Sequence, residues 1–174
     1  MIRLLLGGVR SGKSALAEKL LLAGQAPHRV LATGRALDFA FRERIAAHKR
    51  ARPAGVAVIE AGVTAMDVLC AEAARGGTLL FDSLDFWLFA CHDHSVMQSP
   101  AETLTTGMAA YAAADGPELI VVSTEVGLGG IGASAAMRRF ADLLGTCNQA
   151  VAGLAGDVRL VVAGCAMPLK GIAS

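Results

Sequence analysis

Aromatic side chains are scarce in this sequence: Phe, Tyr and Trp make up 5% of its 174 residues, with a single Trp and a single Tyr. Hydrophobic residues still reach 54%, so the expected core is built from small aliphatic side chains. An excess of one charge is also absent. The formal net charge is +1, which lacks the basic signature of a polyanion binder, and no nucleic-acid partner is expected. No apolar run approaches the roughly 20 residues that cross a bilayer. The apolar start, Ile2 to Leu6, runs straight into glycines and has none of the layout of a secretory signal, so the expected location is cytoplasmic. Four cysteines (Cys70, Cys91, Cys147 and Cys165) stand far apart with no C-x-x-C pair. They read as reduced, mostly buried thiols rather than a zinc site. A chain of this length holds one well-buried core and is too short for two ordinary domains, so a single domain spanning 1–174 is expected.

What the sequence does contain is Gly7-Gly8-Val9-Arg10-Ser11-Gly12-Lys13-Ser14, directly after the apolar run. It satisfies G-x-x-x-x-G-K-[ST] at every required position, between an expected strand and an expected helix. Glycines let backbone N–H groups turn inward around phosphates, where a side chain would block the approach. Lys13 reaches the β/γ-phosphates as a mobile cation, and Ser14 offers a hydroxyl to Mg²⁺. The following helix points its positive N-terminus at the anion. This chemistry is nucleoside triphosphate binding.

Strand-like and helical segments alternate along the chain. Arg3–Leu6, Arg29–Ala32, Val56–Ile59, Thr78–Phe81, Leu119–Ser123 and Val158–Ala163 are short and apolar without strict alternation, as in strands covered on both faces. Between them, helical patterns cover Ala15–Ala23, Ala36–Lys49, Thr64–Arg75, Leu84–Cys91, Pro100–Ala113 and Ala135–Leu154. The last carries Met137, Phe140, Leu143, Leu144, Cys147 and Val151 at helical spacing. His92-Asp93-His94 to Pro100 reads as a surface loop. The alternation implies a three-layer α/β domain with a mostly parallel sheet.

Two carboxylates end strands. Asp82 closes Thr78–Phe81, where it would hold Mg²⁺ directly or through water; alternatively, Asp82 or Ser83 would cap the next helix. Glu125 closes the following strand on the same sheet edge. The glycine-rich loop Val126 to Gly132 after it is either a flexible turn or a backbone that must approach a ligand or a neighbouring subunit. His48 sits in the basic segment Arg42 to Arg52. It is either a solvated residue complementing a helix C-terminus or a nucleophile toward phosphorus, with neighbouring cations offsetting the charge. His92 and His94 lack further ligands and read as solvated.

A wider set of residues appears in order: the phosphate loop, Arg44-Ile45-x-x-His48-Lys49-x-x-Arg52-Pro53, Glu60, Glu125-Val126-Gly127-x-Gly129, Arg139-Phe140-x-Asp142, Gly145, Asn148-Gln149 and Ala163-Gly164. With these, the sequence resembles the adenosylcobinamide kinase / adenosylcobinamide-phosphate guanylyltransferase family of cobalamin biosynthesis over essentially its whole length. The resemblance implies a RecA-like P-loop NTPase fold, usually assembled as a trimer. It also implies two reactions. ATP or GTP phosphorylates a corrinoid alcohol, and a histidine then takes GMP from GTP and passes it to the corrinoid phosphate. The resemblance makes His48 the guanylylated residue, with Lys13 as the second catalytic group. It assigns nucleotide contacts to Gly7, Gly8, Val9, Arg10, Ser11, Gly12, Lys13 and Ser14, to Ala32, Thr33 and Gly34, to Lys49, Arg50, Ala51 and Arg52, and to Glu60 and Asp82. Ser14 and Asp82 are the Mg²⁺ candidates.

The sequence departs from the family pattern at clustered positions. Ala40 stands where an acidic residue is usual, and Val56 stands where tryptophan is usual. Ser83, Asp85 and Ala90 replace Cys, Thr and Asn. Thr124 replaces Asn, Gly132-Ala133-Ser134 replaces Pro-Glu-Asn, and Ala141 replaces Arg. Three readings follow: the bifunctional enzyme, a diverged nucleotide-binding relative that has lost one or both activities, and an unrelated small-molecule P-loop kinase.

Overall fold

A computed structural model describes residues 1–34, 55–94, 99–114, 116–129, 132 and 134–171. The described strands form one seven-stranded sheet in the order β3-β2-β4-β5-β1-β6-β7. They are β1 (Ile2–Leu6), β2 (His28–Ala32), β3 (Ala57–Glu60), β4 (Thr78–Asp82), β5 (Glu118–Val122), β6 (Asp157–Val162) and β7 (Cys165–Lys170). All neighbouring pairs are parallel except β6 with β7. The helices are α1 (Lys13–Ala23), α2 (Ala65–Glu72), α3 (Leu84–His94), α4 (Pro100–Ala113) and α5 (Ala135–Leu154). This is the α/β layering and the mostly parallel sheet that the alternating pattern implied.

The sheet separates two apolar layers. On one face, Leu5, Val30, Leu80, Ile120 and Val122 pack against Ala17 and Leu21 of α1. On the other, Leu4, Leu31, Phe81 and Val121 meet α2 to α5 through Leu69, Trp87, Leu104, Tyr111, Leu144 and Val151. The central strands β1, β4 and β5 are dominated by Leu, Ile, Val and Phe because both of their faces are covered. Few as the aromatics are, Trp87, Tyr111 and Phe81 are the largest fully buried side chains, so the core is not purely small and aliphatic. Each polar tip has a partner: Trp87 Nε1 donates to the Val63 carbonyl and Tyr111 Oη to the Pro117 carbonyl.

Several boundaries differ from the sequence expectation. The edge strand β3 is largely exposed instead of covered on both faces. Helix α2 stops at Glu72, three residues short of the expected end. There the Glu72 carboxylate is drawn to Arg29 of β2 at 2.7 Å, and Gly77, at φ +98°, turns the chain under Pro27. Helix α3 runs on to His94, so the backbone of His92-Asp93-His94 is helical and not a loop, since no Gly or Pro stops it. The thiols divide evenly: Cys91 and Cys147 are buried, Cys70 and Cys165 exposed.

Strand β7 was not anticipated. Pro168 lies in its middle, which argues against a central strand but is tolerated at a sheet edge. The turn before it, Ala163-Gly164, has φ +52° and +81°, the positive values that suit a tight two-residue hairpin turn. The expected helix 36–49 lies outside the described residues. No described helix is long and apolar enough to cross a membrane.

Candidate active site

The phosphate loop leaves the carboxyl end of β1 and closes on the first turn of α1. Gly12 adopts φ +96°, the left-handed region that glycine occupies without strain. A Cβ on Gly7 would come within 2.5 Å of the Val161 carbonyl oxygen, so that position also requires glycine. Around Gly8 there is open space. The loop is tied internally: Ser11 N–H donates to the Gly8 carbonyl at 3.3 Å, and Lys13 N–H to Ser11 Oγ at 3.4 Å. Lys13 is buried, and its ammonium donates to the Gly8 carbonyl at 3.0 Å, which stations the cation over the loop. Arg10 holds a positive φ of 57° at the loop's tip.

The parallel sheet brings the other candidates to the same edge, because strands of one direction end together. Ala32 is in register with Glu60 of β3 on one side and with Asp82 of β4 on the other. Asp82 is in register with Val122 of β5, which pairs with Leu5 of β1. Glu60, Ala32, Asp82 and the phosphate loop therefore lie along one line, with β5 between the loop's strand and that of Asp82. Glu125, three residues beyond β5, donates its N–H to the Gly7 carbonyl at 3.4 Å, and its carboxylate accepts from Gly127 N–H at 2.8 Å.

Three further residues hold this edge together. Thr33 Oγ1 donates to the Ser83 carbonyl at 2.7 Å and accepts from Ser83 N–H at 2.9 Å, joining the ends of β2 and β4. Asn148 of α5 is buried; its Oδ1 accepts from Ser123 Oγ at 2.6 Å, and its Nδ2 donates to the Thr124 carbonyl at 3.2 Å. Gly164, in the β6–β7 turn, donates its N–H to the Ser11 carbonyl at 2.8 Å. The sequence had signalled Asn148 and Gly164 as members of an ordered motif set without giving them a task. The alternative role of Asp82 or Ser83 as a helix cap is only partly met: the Ser83 carbonyl accepts the Trp87 N–H, while its hydroxyl turns to Asp85.

His48, Lys49, Arg50, Ala51 and Arg52 lie outside the described residues, as does Ala40. The cleft lined by Gln25, Arg75, Gly77, Gly116 and Glu118 opens at the amino edge of the sheet and holds none of the candidates.

The family model for cobinamide kinase / cobinamide phosphate guanyltransferase matches residues 3–169. The chain belongs to this family. It is 36% identical to a bifunctional adenosylcobalamin biosynthesis protein (CobP) of Pseudomonas aeruginosa over 171 residues, covering 97% of this chain and 96% of that protein. It is 30% identical to the corresponding protein (CobU) of Salmonella typhimurium, covering 98% of this chain and all of that one. Against the CobU protein of Escherichia coli the identity is 29%, with 98% of this chain covered.

Proposed function

We propose that this chain carries out both reactions named by its family, phosphorylating a cobinamide and then capping the phosphate with GMP. The observation that carries the reading is the complete phosphate loop at the β1–α1 junction, within a family match that spans the chain. In the first reaction the corrinoid hydroxyl oxygen attacks the γ-phosphorus of ATP or GTP, and the nucleoside diphosphate leaves. In the second, the His48 imidazole attacks the α-phosphorus of GTP and pyrophosphate leaves. A phosphate oxygen of the corrinoid phosphate then attacks the same phosphorus and frees the histidine.

Within this reading the loop N–H groups and Lys13 bind and orient the triphosphate, and Lys49, Arg50 and Arg52 offset charge near His48. In this reading exposed Glu60 meets a nucleotide lying along the sheet edge, while Thr33, buried with its hydroxyl committed to Ser83, supports that edge rather than touching the ligand. Ser14 and Asp82 supply hydroxyl and carboxylate oxygens, the hard donors that suit Mg²⁺, and fit that ion. When bound, it would neutralise charge on the phosphates. The chain acts as one domain over 1–174 and assembles as a homo-oligomer, a trimer by its family likeness. Support for assembly comes from α5, which buries Leu144, Cys147 and Val151 in the core while Met137 stays 59% exposed and Phe140 stacks on the exposed Phe89.

The test is incubation with adenosylcobinamide and ATP or GTP, with products resolved by chromatography and mass spectrometry. Formation of the phosphate, and then of the GDP conjugate when GTP is present, supports the reading. Tight GTP binding without either product overturns it in favour of a diverged relative.

A further inference from the structure

Three of the positions at which this sequence departs from its family pattern touch one another. Asp85, in the first turn of α3, accepts a hydrogen bond from Ser83 Oγ on Oδ1 and another from Thr124 Oγ1 on Oδ2, the latter at 2.9 Å. Ser83 follows Asp82 directly at the end of β4, and Thr124 directly precedes Glu125 beyond β5. We propose that Asp85 is a positioning residue for phosphoryl transfer, its carboxylate clamping the end of β4 to the end of β5 and so fixing Asp82 and Glu125 relative to the phosphate loop. The proposal rests on the kinase reading above.

The physical case follows from what each neighbour already does. Ser83 is held on its other side by Thr33 and Thr124 by Asn148, while Glu125 N–H joins the Gly7 carbonyl. With Asp85 in the middle, the belt runs without a break from β2 through β4 and β5 to the phosphate loop on β1. Without it, the belt separates into two halves, and the backbone ladder between β4 and β5 is left to keep Asp82 and Glu125 in step. That ladder ends at Asp82 and Val122, so the residues beyond β5 lose their lateral tie to β4. A carboxylate is suited to this place because it accepts from two hydroxyls at once, one on each oxygen. Charge-assisted bonds of this kind are stronger than neutral ones. Both hydroxyl protons are thereby committed to Asp85, leaving Ser83 Oγ and Thr124 Oγ1 as acceptors toward anything else. The substitutions at 83, 85 and 124 thus form one hydrogen-bonded set, not three separate losses of polar function.

The experiment measures kinase kcat and KM, nucleotide affinity with a fluorescent GTP analogue, and melting temperature for wild type, D85A, D85N, T124V and the double variant D85A/T124V. Expected for D85A is a kcat loss of roughly tenfold, as misplacement of reacting groups by a fraction of an ångström produces, with nucleotide affinity changed by less than about threefold. D85N keeps one fixed acceptor oxygen and falls between D85A and wild type. The double variant is no slower than D85A, because both changes open the same clamp. Should D85A fail to fold, D85N and T124V carry the same test through the ratio of kcat to affinity. A D85A enzyme with wild-type kcat, losses that multiply in the double variant, or a kcat that merely follows the melting temperature would each overturn the proposal. A wild-type protein that transfers no phosphate overturns the underlying kinase reading instead.

Discussion

Gly164 N–H donates to the carbonyl oxygen of Ser11 at 2.8 Å, which fastens the β6–β7 turn to the middle of the phosphate loop. The approach is close on the loop side: a Cβ on Gly12 would lie 3.1 Å from Gly164 Cα. The edge hairpin therefore buttresses the nucleotide site from behind. Gly12→Ala combines that crowding with a φ of +96°, a region L-residues enter at a cost of about 1–2 kcal/mol. The expected result is a loss of GTP affinity of roughly tenfold or more in titration calorimetry. Gly164→Ala meets no neighbouring atom within 4 Å, so only the backbone cost at φ +81° remains. It should lower the melting temperature while GTP affinity falls less than in Gly12→Ala.

Lys13 offers a second check on the same loop. Its ammonium rests on the Gly8 carbonyl at 3.0 Å, within the turn of the loop. Lys13→Ala removes the loop's mobile cation and should abolish measurable GTP binding, with a melting temperature near that of wild type in the absence of nucleotide. Equal affinity in the two proteins would remove the phosphate loop from the mechanism.

How far the sequence foretold this arrangement differs by element. Central strands, α5 and the phosphate loop were legible because each is locally determined, by apolar runs, helical spacing or obligatory glycines. Ser134 illustrates a local signal that the family comparison obscured. It replaces an Asn of the pattern, yet it caps α5 by accepting the Met137 N–H at 3.1 Å, a role the two residue types share. The β7 strand escaped because Pro168 contradicts a strand until its edge position is known. The Asp85 clamp was invisible for another reason: Ser83 and Thr124 are far apart in sequence, and only the β4–β5 pairing brings them to one carboxylate.

The buried thiols give a pH-dependent outcome. Burial pushes Cys91 and Cys147 up from 9.0 to about 11, and Cys91 adds to the effect on Cys147. In the unfolded chain these thiols ionise near pH 9, whereas in the folded protein they hold their protons until about pH 11. The unfolded state thus binds fewer protons across that window, so stability falls as pH rises from 9 toward 11 and is unaffected by these groups below it. Melting curves should show this decline, and a Cys91→Ala/Cys147→Ala variant should show less of it. Thiol-reactive probes at pH 8 should label Cys70 and Cys165 first.

The proposed assembly rests on the uncovered start of α5. Met137 is 59% exposed, Phe89 is 41% exposed, and the Phe89 and Phe140 rings stack with centroids 4.2 Å apart. Light scattering at micromolar concentration should give a multiple of 17.8 kDa. Met137→Asp combined with Phe89→Asp should shift the mass toward the monomer while the fold, judged by circular dichroism, is kept. A wild-type monomer would sink the assembly proposal.

The sharpest outcome concerns His48. If the guanylyl transfer runs through this residue, incubation with GTP labelled on the α-phosphate leaves a covalent GMP adduct. A phosphorus–nitrogen bond is stable in alkali and labile in acid, which distinguishes it from adducts on Ser or Asp. His48→Ala should abolish the adduct, because no other group is called on to attack the α-phosphorus. Phosphorylation of the corrinoid alcohol should be far less affected, since direct transfer from the γ-position uses no protein nucleophile. Arg52→Ala should slow adduct formation by roughly tenfold while GTP still binds, through loss of charge compensation at the leaving pyrophosphate. Ala40 and Val56 replace an acidic residue and a tryptophan of the family pattern on either side of this segment. Guanylyl transfer is therefore the half-reaction most exposed to their loss. A wild-type protein that phosphorylates cobinamide but never labels with α-phosphate would confine the chain to the kinase step.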